Sequence, residues 1–456
     1  MDRIGFEALE HRSDGSFAPA RFRFEGDPAT GWQVLRNERA HLSLGPGYGC
    51  LASRACGVCA TDLARRFLPF PLPQVIGHEL LAETAAGERR VVEINASCRA
   101  RGLPPCATCA AGLERHCPAR LVLGIHDLPG GFAPFVLAPL RAALPVPPGL
   151  PDETAALVEP FAAALHAART LDLRPGDRVA VLGPRRLGML LIAALAAERR
   201  RIGASWELVA LARRPELLAL ARELGADELR QLPVGGPPAE RFDVVVDTTG
   251  TPDGLTVALA AARRELHLKS THGQPAGGLR HVTELVVDEL RIEPLGAGIA
   301  GRVAWLSEAA PDRASSGAAE LLRGAAAGRE AGRPDGAPGL DAAVVSDGPG
   351  ADAAIRPDPG RQRGLVRPRG VLWVHPDASA CAAPLLREVA RRGLRITTSR
   401  CGDFRAALDL LASDPALAEL GPRLVSHRFA PDQLALAFRA ATSREAVKVL
   451  VEHPRR

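Results

Sequence analysis

Arg178-Val179-Ala180-Val181-Leu182-Gly183-Pro184-Arg185-Arg186-Leu187-Gly188 is the stretch whose reading decides the fold class. Residues 179–182 are an unbroken apolar run, of a length that suits a strand covered on both faces. Gly183 ends the run, and apolar residues at helical spacing follow over 187–199. Outward from this unit, 208–211, Phe242–Asp247 and 266–270 read as further strands, and 215–224 as a second helix. Strands alternating with helices make a parallel sheet with helices on both faces. Upstream the pattern changes. Residues 152–170 carry apolar side chains at helical spacing, whereas 40–150 break into short strands separated by Gly and Pro. The chain therefore reads as α/β, a doubly wound parallel sheet joined to a β-rich domain.

The turn between the first strand and its helix is where a phosphate-binding loop belongs. Gly183 permits the tight turn and Gly188 the close approach of helix to strand. The middle position, glycine in a full dinucleotide fingerprint, is Arg185. The second strand would ordinarily end in an acid for the ribose hydroxyls, but here it ends Leu211-Ala212-Arg213-Arg214. A missing acid with arginines in its place favours a 2′-phosphate, hence NADP over NAD. Gly183, Arg185, Gly188, Arg213 and Arg214 are the cofactor-binding candidates. The competing reading is that Arg213 and Arg214 are solvated residues at a helix start.

Composition is what keeps that competing reading alive. Of 57 basic residues only Lys269 and Lys448 are lysine, so an arginine by itself carries little information. The net charge of +5 is small for 456 residues and both signs are scattered, which gives no support for a nucleic-acid or membrane partner. The best candidate span, 187–197, is too short to cross a bilayer and is flanked by arginines. Residues 1–7 lack the apolar core of a signal peptide. The expected location is the cytoplasm.

Nine cysteines, an odd number in local clusters, argue for metal in a reducing compartment rather than for disulfides. Cys98, Cys106, Cys109 and Cys117 have spacing that suits the four thiolates of a structural zinc. The two-residue gap forms a knuckle whose backbone amides stabilise thiolate charge, and the segment between is rich in Gly, Pro and polar residues. The alternative is a set of buried or free thiols. A second set is dispersed along the chain. Cys59, His78, Glu79 and Glu159 offer one thiolate, one imidazole and one or two carboxylates, an open zinc site with room for water or a substrate oxygen. Asp62 could hold the unliganded nitrogen of His78. Cys56 and Cys59 as a redox pair is a weaker alternative, because no thioredoxin-like context surrounds them.

Cys56-Gly57-Val58-Cys59-Ala60-Thr61-Asp62, Gly77-His78-Glu79, the four-cysteine lobe, Leu157-Val158-Glu159-Pro160 and Gly176-Asp177-Arg178-Val179 occur in one order. Together they resemble the zinc-dependent medium-chain dehydrogenase/reductase family, the alcohol dehydrogenase type, over residues 45–298 and 394–456. The resemblance implies a GroES-like catalytic domain with a Rossmann domain, and hydride transfer between an alcohol and NAD(P). It also implies Cys59 and His78 as ligands of a catalytic zinc, and Glu79 as a ligand or an exchange partner for the bound water. Thr61 would be the hydroxyl that accepts the alcohol proton, so Thr61, Asp62 and Glu79 are the catalytic candidates. Cys98, Cys106, Cys109 and Cys117 would hold a second, structural zinc. Glu159 stands where alcohol dehydrogenases proper place a cysteine. A glutamate there is similar to the polyol, sugar and threonine dehydrogenase branch.

The expected division is a GroES-like domain of 1–165 with 422–456, and a Rossmann domain of 166–421 that carries an insertion or partial duplication at 299–380. Residues 307–339 lack aromatics and most large aliphatics, and read as a linker or insertion. Other parts echo the sheet. Phe242–Asp247 resembles Leu340–Val345, 266–268 resembles 371–373, and 290–292 recurs at 394–396, with offsets of 98, 105 and 104 residues. A near-constant offset is what a duplicated half-domain gives, and generic βαβ pieces in a biased composition are the other explanation. In the family that the resemblance names, the last Rossmann strand lies at the sheet edge and often mediates dimers. A second candidate for that strand would cap the edge instead, so a homodimer and a capped edge both stay open. The enzyme reading competes with a catalytically silent, zinc-stabilised binding protein on the same fold, and more weakly with a nucleic-acid-binding zinc module.

Overall fold

Phe22-Arg23-Phe24-Glu25 alternates apolar and charged side chains, and in the computed structural model every second residue from Ala20 to Gly26 is buried. The structure describes residues 2–455 apart from 69, 234–235, 271–272, 297–298, 300, 307–338 and 357–363. The low-complexity stretch expected at 307–339 thus lies, except for Gly339, outside the described residues. Strands β1 (Asp2–His11), β2 (Phe17–Asp27), β3 (Gly31–Arg36) and β4 (Arg39–Leu44) form an antiparallel meander. The β-rich part therefore begins at residue 2 and not at 40. Phe6 packs on Phe22, Phe24 and Phe135, with ring centroids 5.7, 5.0 and 5.8 Å away. Trp32 Nε1 donates to the carbonyl of Tyr48 at 2.9 Å. Through Phe135 and Tyr48 the meander is tied to the next sheet.

The chain continues through β5 (Tyr48–Gly57), β6 (Glu79–Glu83), β7 (Arg89–Val92), the short ribbon β8 (Asn95–Ala96) and β9 (Leu121–Val122), then β10 (Phe135–Pro139) and β11 (Ala143–Pro145). Ten more strands lie in the second half: β12 (Arg178–Leu182), β13 (Glu207–Ala212), β14 (Glu228–Gln231), β15 (Phe242–Asp247), β16 (Ala262–Leu268), β17 (Arg291–Pro294), β18 (Val303–Trp305), β19 (Leu340–Val345), β20 (Val366–Val374) and β21 (Arg395–Thr398). The last two strands, β22 (Val425–Phe429) and β23 (Lys448–Glu452), return to the first sheet, whose order is β11-β7-β6-β5-β23-β22 with β10 also against β5.

Two compact units result, 1–162 with 401–456, and 163–400. The second crossing falls at 400 and not at the expected 421. The reason is local. The Thr154 hydroxyl donates to the Ala418 carbonyl at 2.6 Å and accepts from the Gly421 N–H at 3.0 Å, so the helices after residue 403 belong with the β-rich unit.

The second unit holds one ten-stranded sheet, β14-β13-β12-β15-β16-β21-β17-β20-β19-β18. Its first six strands pair in parallel, with fully buried Val179–Val181 and Val244–Val246 at the centre, as a sheet covered on both faces requires. The helix Arg186–Ile202 after β12 stops at Gly203, in the left-handed conformation at φ 64°, with Arg199, Arg200 and Arg201 in the last turn where the helix dipole favours cations. No helix among the described residues is long and apolar enough to cross a membrane.

Asp247 ends β15 and is buried, and it accepts from the Thr249 N–H and hydroxyl at 2.9 and 2.6 Å. Burial outweighs those bonds and pushes its carboxyl up to about 6, from 3.8. The folded chain then binds the extra proton between those values, so stability falls as pH rises from 4 to 6 and the loss is complete above 6. Asp247→Asn should flatten that pH dependence and raise unfolding stability at neutral pH by up to about 3 kcal/mol. Denaturant titrations at acid and neutral pH check this, and an unchanged pH profile would contradict it.

Candidate active site and metal centres

The four cysteines of the lobe come together. Their sulfurs lie within 4.8 Å of one another, with Cys98 3.5 Å and Cys106 3.9 Å from Cys117. Four thiolates around zinc would stand about 3.8 Å apart, from a Zn–S length of about 2.3 Å in a tetrahedron. The donors therefore fit the ion. The long gap 99–105 is folded into a turn, with Arg101 N–H on the Ser97 carbonyl at 3.0 Å and Leu103 N–H on the Cys98 carbonyl at 2.8 Å. That turn absorbs the extra residues and leaves Cys98 in reach. Burial opposes ionisation of Cys106, but the backbone N–H groups at Cys109 and Thr108 and the neighbouring thiols bring it down to about 7. Burial and the adjacent thiols push Cys109 up to about 12.

Successive residues of an extended chain face opposite sides, and that rule separates His78 from Glu79. His78 is buried, and its Nδ1 lies 3.3 Å from Asp62 Oδ1. The other Asp62 oxygen accepts from the Cys59 N–H at 2.9 Å. Asp62 sits in the short helix Ala60–Leu63, which Cys59 caps, so one buried carboxylate ties Cys59 to His78. Burial pulls the imidazole pKa down, but Asp62 and then Cys59 outweigh it and hold it well above its ordinary value. The pocket is thus built for positive charge. A thiolate with an imidazole whose Nδ1 is held by a carboxylate fits zinc bound through Cys59 Sγ and His78 Nε2.

Glu79 turns the other way. The sequence reading put it among the metal ligands and catalytic groups, whereas the structure sets it in a buried ion pair with Lys448 of β23. The pair bridges two strands that flank β5 at Gly57, because Gly57 pairs with Glu79 on one side and Leu450 on the other. A Cβ at Gly57 would collide with Glu79 Oε2 and Lys448 Cε, so any side chain there would displace the ion pair. Glu159 is half-buried in the first turn of the helix Val158–Thr170. Among the described residues, the lobe is the only group of three or more such side chains gathered as a metal site, and Glu159 is not gathered with Cys59 and His78. Thr61 is half-buried beside Asp62. Cys56 is fully buried, and burial holds its thiol well above the usual range. Its burial and raised thiol pKa disfavour the redox-pair reading, since the thiolate is the reactive form.

In the second unit Gly183 adopts φ 74° at the end of β12, where a Cβ would meet Thr249 Cγ2 at 2.6 Å. At Gly188 a Cβ would meet Thr248 Oγ1 at 2.6 Å, so the first helical turn packs directly on the residues after β15. The Thr248 hydroxyl donates to the Leu182 carbonyl at 2.8 Å and fixes the loop from below. Arg185 is half-buried and immediately precedes the helix. Arg213 is exposed and Arg214 half-buried at the end of β13, and the Arg213 carbonyl accepts from Gln231 Nε2 at 3.1 Å. Reading the sequence missed Lys448, Gly57 and Thr248. Lys448 carried one usable signal: it is one of two lysines in an arginine-dominated chain.

Comparison with known proteins places these features. The family model of the alcohol dehydrogenase GroES-like domain matches residues 45–148. The chain is 30% identical over 248 residues to an L-threonine 3-dehydrogenase of Rhizobium rhizogenes strain K84, across 50% of this chain and 68% of that protein. Among solved structures, galactitol-1-phosphate dehydrogenase of Escherichia coli superposes with a TM-score of 0.60 at 16% identity, over 98% of this chain and 100% of that one. A zinc-binding dehydrogenase of Sinorhizobium meliloti 1021, bound to NADP, superposes with a TM-score of 0.57 at 18% identity, over 98% and 99%.

Lys448→Met strands a buried carboxylate and should cost about 3–5 kcal/mol of unfolding stability, with part recovered in the Glu79→Gln/Lys448→Met double variant. Chemical denaturation of the native chain and the two variants checks this. Equal stability of the single and double variants would contradict the pairing.

Proposed function

Because the chain belongs to the zinc-dependent medium-chain dehydrogenase/reductase family, the alcohol dehydrogenase type, we propose that it transfers hydride between a secondary alcohol, polyol or sugar-type substrate and NADP. The observation that carries this reading is the Cys59–Asp62–His78 arrangement, in which one buried carboxylate orients an imidazole beside a thiol. Zinc, when bound there, supplies the Lewis acidity that stabilises an alkoxide, and the nicotinamide supplies the hydride acceptor. Cys59 and His78 would hold the ion, and Glu159 would have to move towards them to add a third donor. Asp62 fixes the His78 ring by its Nδ1, which leaves Nε2 as the binding nitrogen. Thr61 takes the proton of the substrate hydroxyl and passes it towards solvent. Glu79 and Lys448 hold β6 and β23 on either side of β5, which keeps His78 at its height. Cys98, Cys106, Cys109 and Cys117 hold a second ion that closes the lobe.

Two features support NADP over NAD. No acid follows β13, and Arg213 and Arg214 occupy that turn. Gly183 and Gly188 keep the turn tight, and Arg185 adds a cation where the phosphates would lie. Retention of Cys59, Thr61, His78 and both glycines disfavours the catalytically silent alternative. Nine cysteines without a disulfide among them, five of them proposed zinc ligands, support a reducing compartment, the cytoplasm.

Cys59→Ser should abolish bound catalytic zinc and alcohol oxidation together, and turnover that survives without metal would contradict the assignment. Arg213→Ala/Arg214→Ala should raise KM for NADP by about tenfold or more while leaving KM for NAD nearly unchanged, since only the 2′-phosphate loses a charge-assisted bond. Steady-state kinetics with both cofactors check this, and an equal loss for both would contradict it.

A further inference from the structure

The ten-stranded sheet has an internal two-fold. From its third strand to its far edge it reads β12-β15-β16-β21 and then β17-β20-β19-β18. Register shows that these are matched halves. Val179, Ala180 and Val181 of β12 pair with Val244, Val245 and Val246 of β15, and Val303, Ala304 and Trp305 of β18 pair with Ala342, Ala343 and Val344 of β19. The words agree, Arg178-Val179-Ala180-Val181-Leu182 against Arg302-Val303-Ala304-Trp305-Leu306. Val244 opposes Glu265 as Ala342 opposes Val371, and an irregularity interrupts each ladder at the equivalent place, between Phe242 and Val244 with one extra residue on β16 and between Leu340 and Ala342 with three on β20. Glu265 opposes Arg395 as Val371 opposes Arg291.

Details outside the ladders repeat too. The Arg178 N–H donates to the Asp243 carboxylate at 2.9 Å, and the Arg302 N–H to the Asp341 carboxylate at 2.8 Å. The helices after β15 and β19 carry equivalent caps, the Thr251 hydroxyl accepting from Gly254 N–H and the Asp347 carboxylate from Gly350 N–H. Left-handed residues precede β17 and β21, Glu289 at φ 53° and Gly393 at φ 66°. Chance resemblance of generic βαβ pieces does not reproduce register, irregularity and caps together. The register also moves one sequence-based alignment by a residue, matching Val371 with Glu265 and not with Leu266.

The last strands are exchanged. β17 follows β16 in the chain but pairs in parallel with β20, and β21 follows β20 but pairs in parallel with β16. The two then meet antiparallel at Ile292 and Ile396, which are equivalent residues of the two halves. Self-equivalent residues pairing antiparallel is the signature of an isologous two-fold contact, here made within one chain. One apolar cluster runs through both halves and includes Leu266, Ile292, Leu372, Leu385 and Ile396.

We propose that the segment from β17 to β20 is a second, reduced copy of the nucleotide-binding half, swapped with the first at its last strand. It thereby fills in cis the sheet edge to which a second copy of this chain would otherwise add. Among the described residues the outermost strand of this half, β18, is Val303–Trp305, and so short an edge strand is a poor template for another.

The test is a disulfide cross-link across the two-fold in the full chain. Ile292→Cys/Ile396→Cys, oxidised and compared with each single variant, should give an intrachain bond at the mass of one chain, 48.1 kDa. An interchain bond at twice that mass would overturn the proposal. Should the double variant not fold, the native chain serves. Hydrogen exchange of the β17 and β21 amides should stay equally slow throughout a dilution series followed by light scattering. Protection lost on dilution, as the mass halves, would overturn it as well.

Discussion

A lysine from the end of the chain reaches past a glycine to a glutamate near its beginning, and the β-rich unit depends on that buried pair. Glu79 and Lys448 stand on the two strands that flank β5, and Gly57 between them offers no side chain. Either charge alone in that place would be costly, so the first and last segments of this unit must assemble together. The pair also decides what Glu79 does. Engaged with Lys448, it leaves the adjacent His78 to face the other way, towards Asp62 and Cys59. The candidate metal pocket is a by-product of strand alternation with one side of the strand already occupied.

A different constraint governs the nucleotide-binding unit. A parallel sheet is stable when both faces are covered and its edges are closed. The central strands β13, β12 and β15 meet the first condition with nearly continuous apolar runs. Four more strands and a strand exchange cover the edge of β21, and leave the short strands β14 and β18 outermost among the described residues. The described part of the excess length therefore serves the architecture of the sheet, and the sequence after Leu306, Ser307-Glu308, does not repeat the Gly183-Pro184 that follows Leu182.

Much of this was legible before any coordinates. The motif order from Cys56 to Val179 pointed to the family, because each word there is a backbone or ligand requirement that composition cannot imitate. The four-cysteine lobe was legible for the same reason, and its long first gap proved to be a turn. What lay beyond reach was long-range. Nothing local to Glu79 announces a partner near the other terminus, although lysines at two positions among 57 basic residues marked places where arginine would not do. Both lysines are buried, Lys448 on Glu79 and Lys269 on the carbonyls of Ser399 and Arg400. The amino-terminal meander had its own signal in the alternation around Phe22 and Phe24, which the search for later motifs passed over. The repeat was visible as a near-constant offset, but the exchange of its last strands was not, because β17 and β21 both follow Leu and begin Arg-Ile, and that shared word does not say which slot each takes.

Anomalous diffraction at the zinc edge, on crystals of the enzyme purified without chelator, tests the central claim most directly. The account predicts two peaks per chain, one enclosed by Cys98, Cys106, Cys109 and Cys117 and one against Cys59 and His78. A single peak in the lobe, with Cys59 and His78 free of metal, would contradict it.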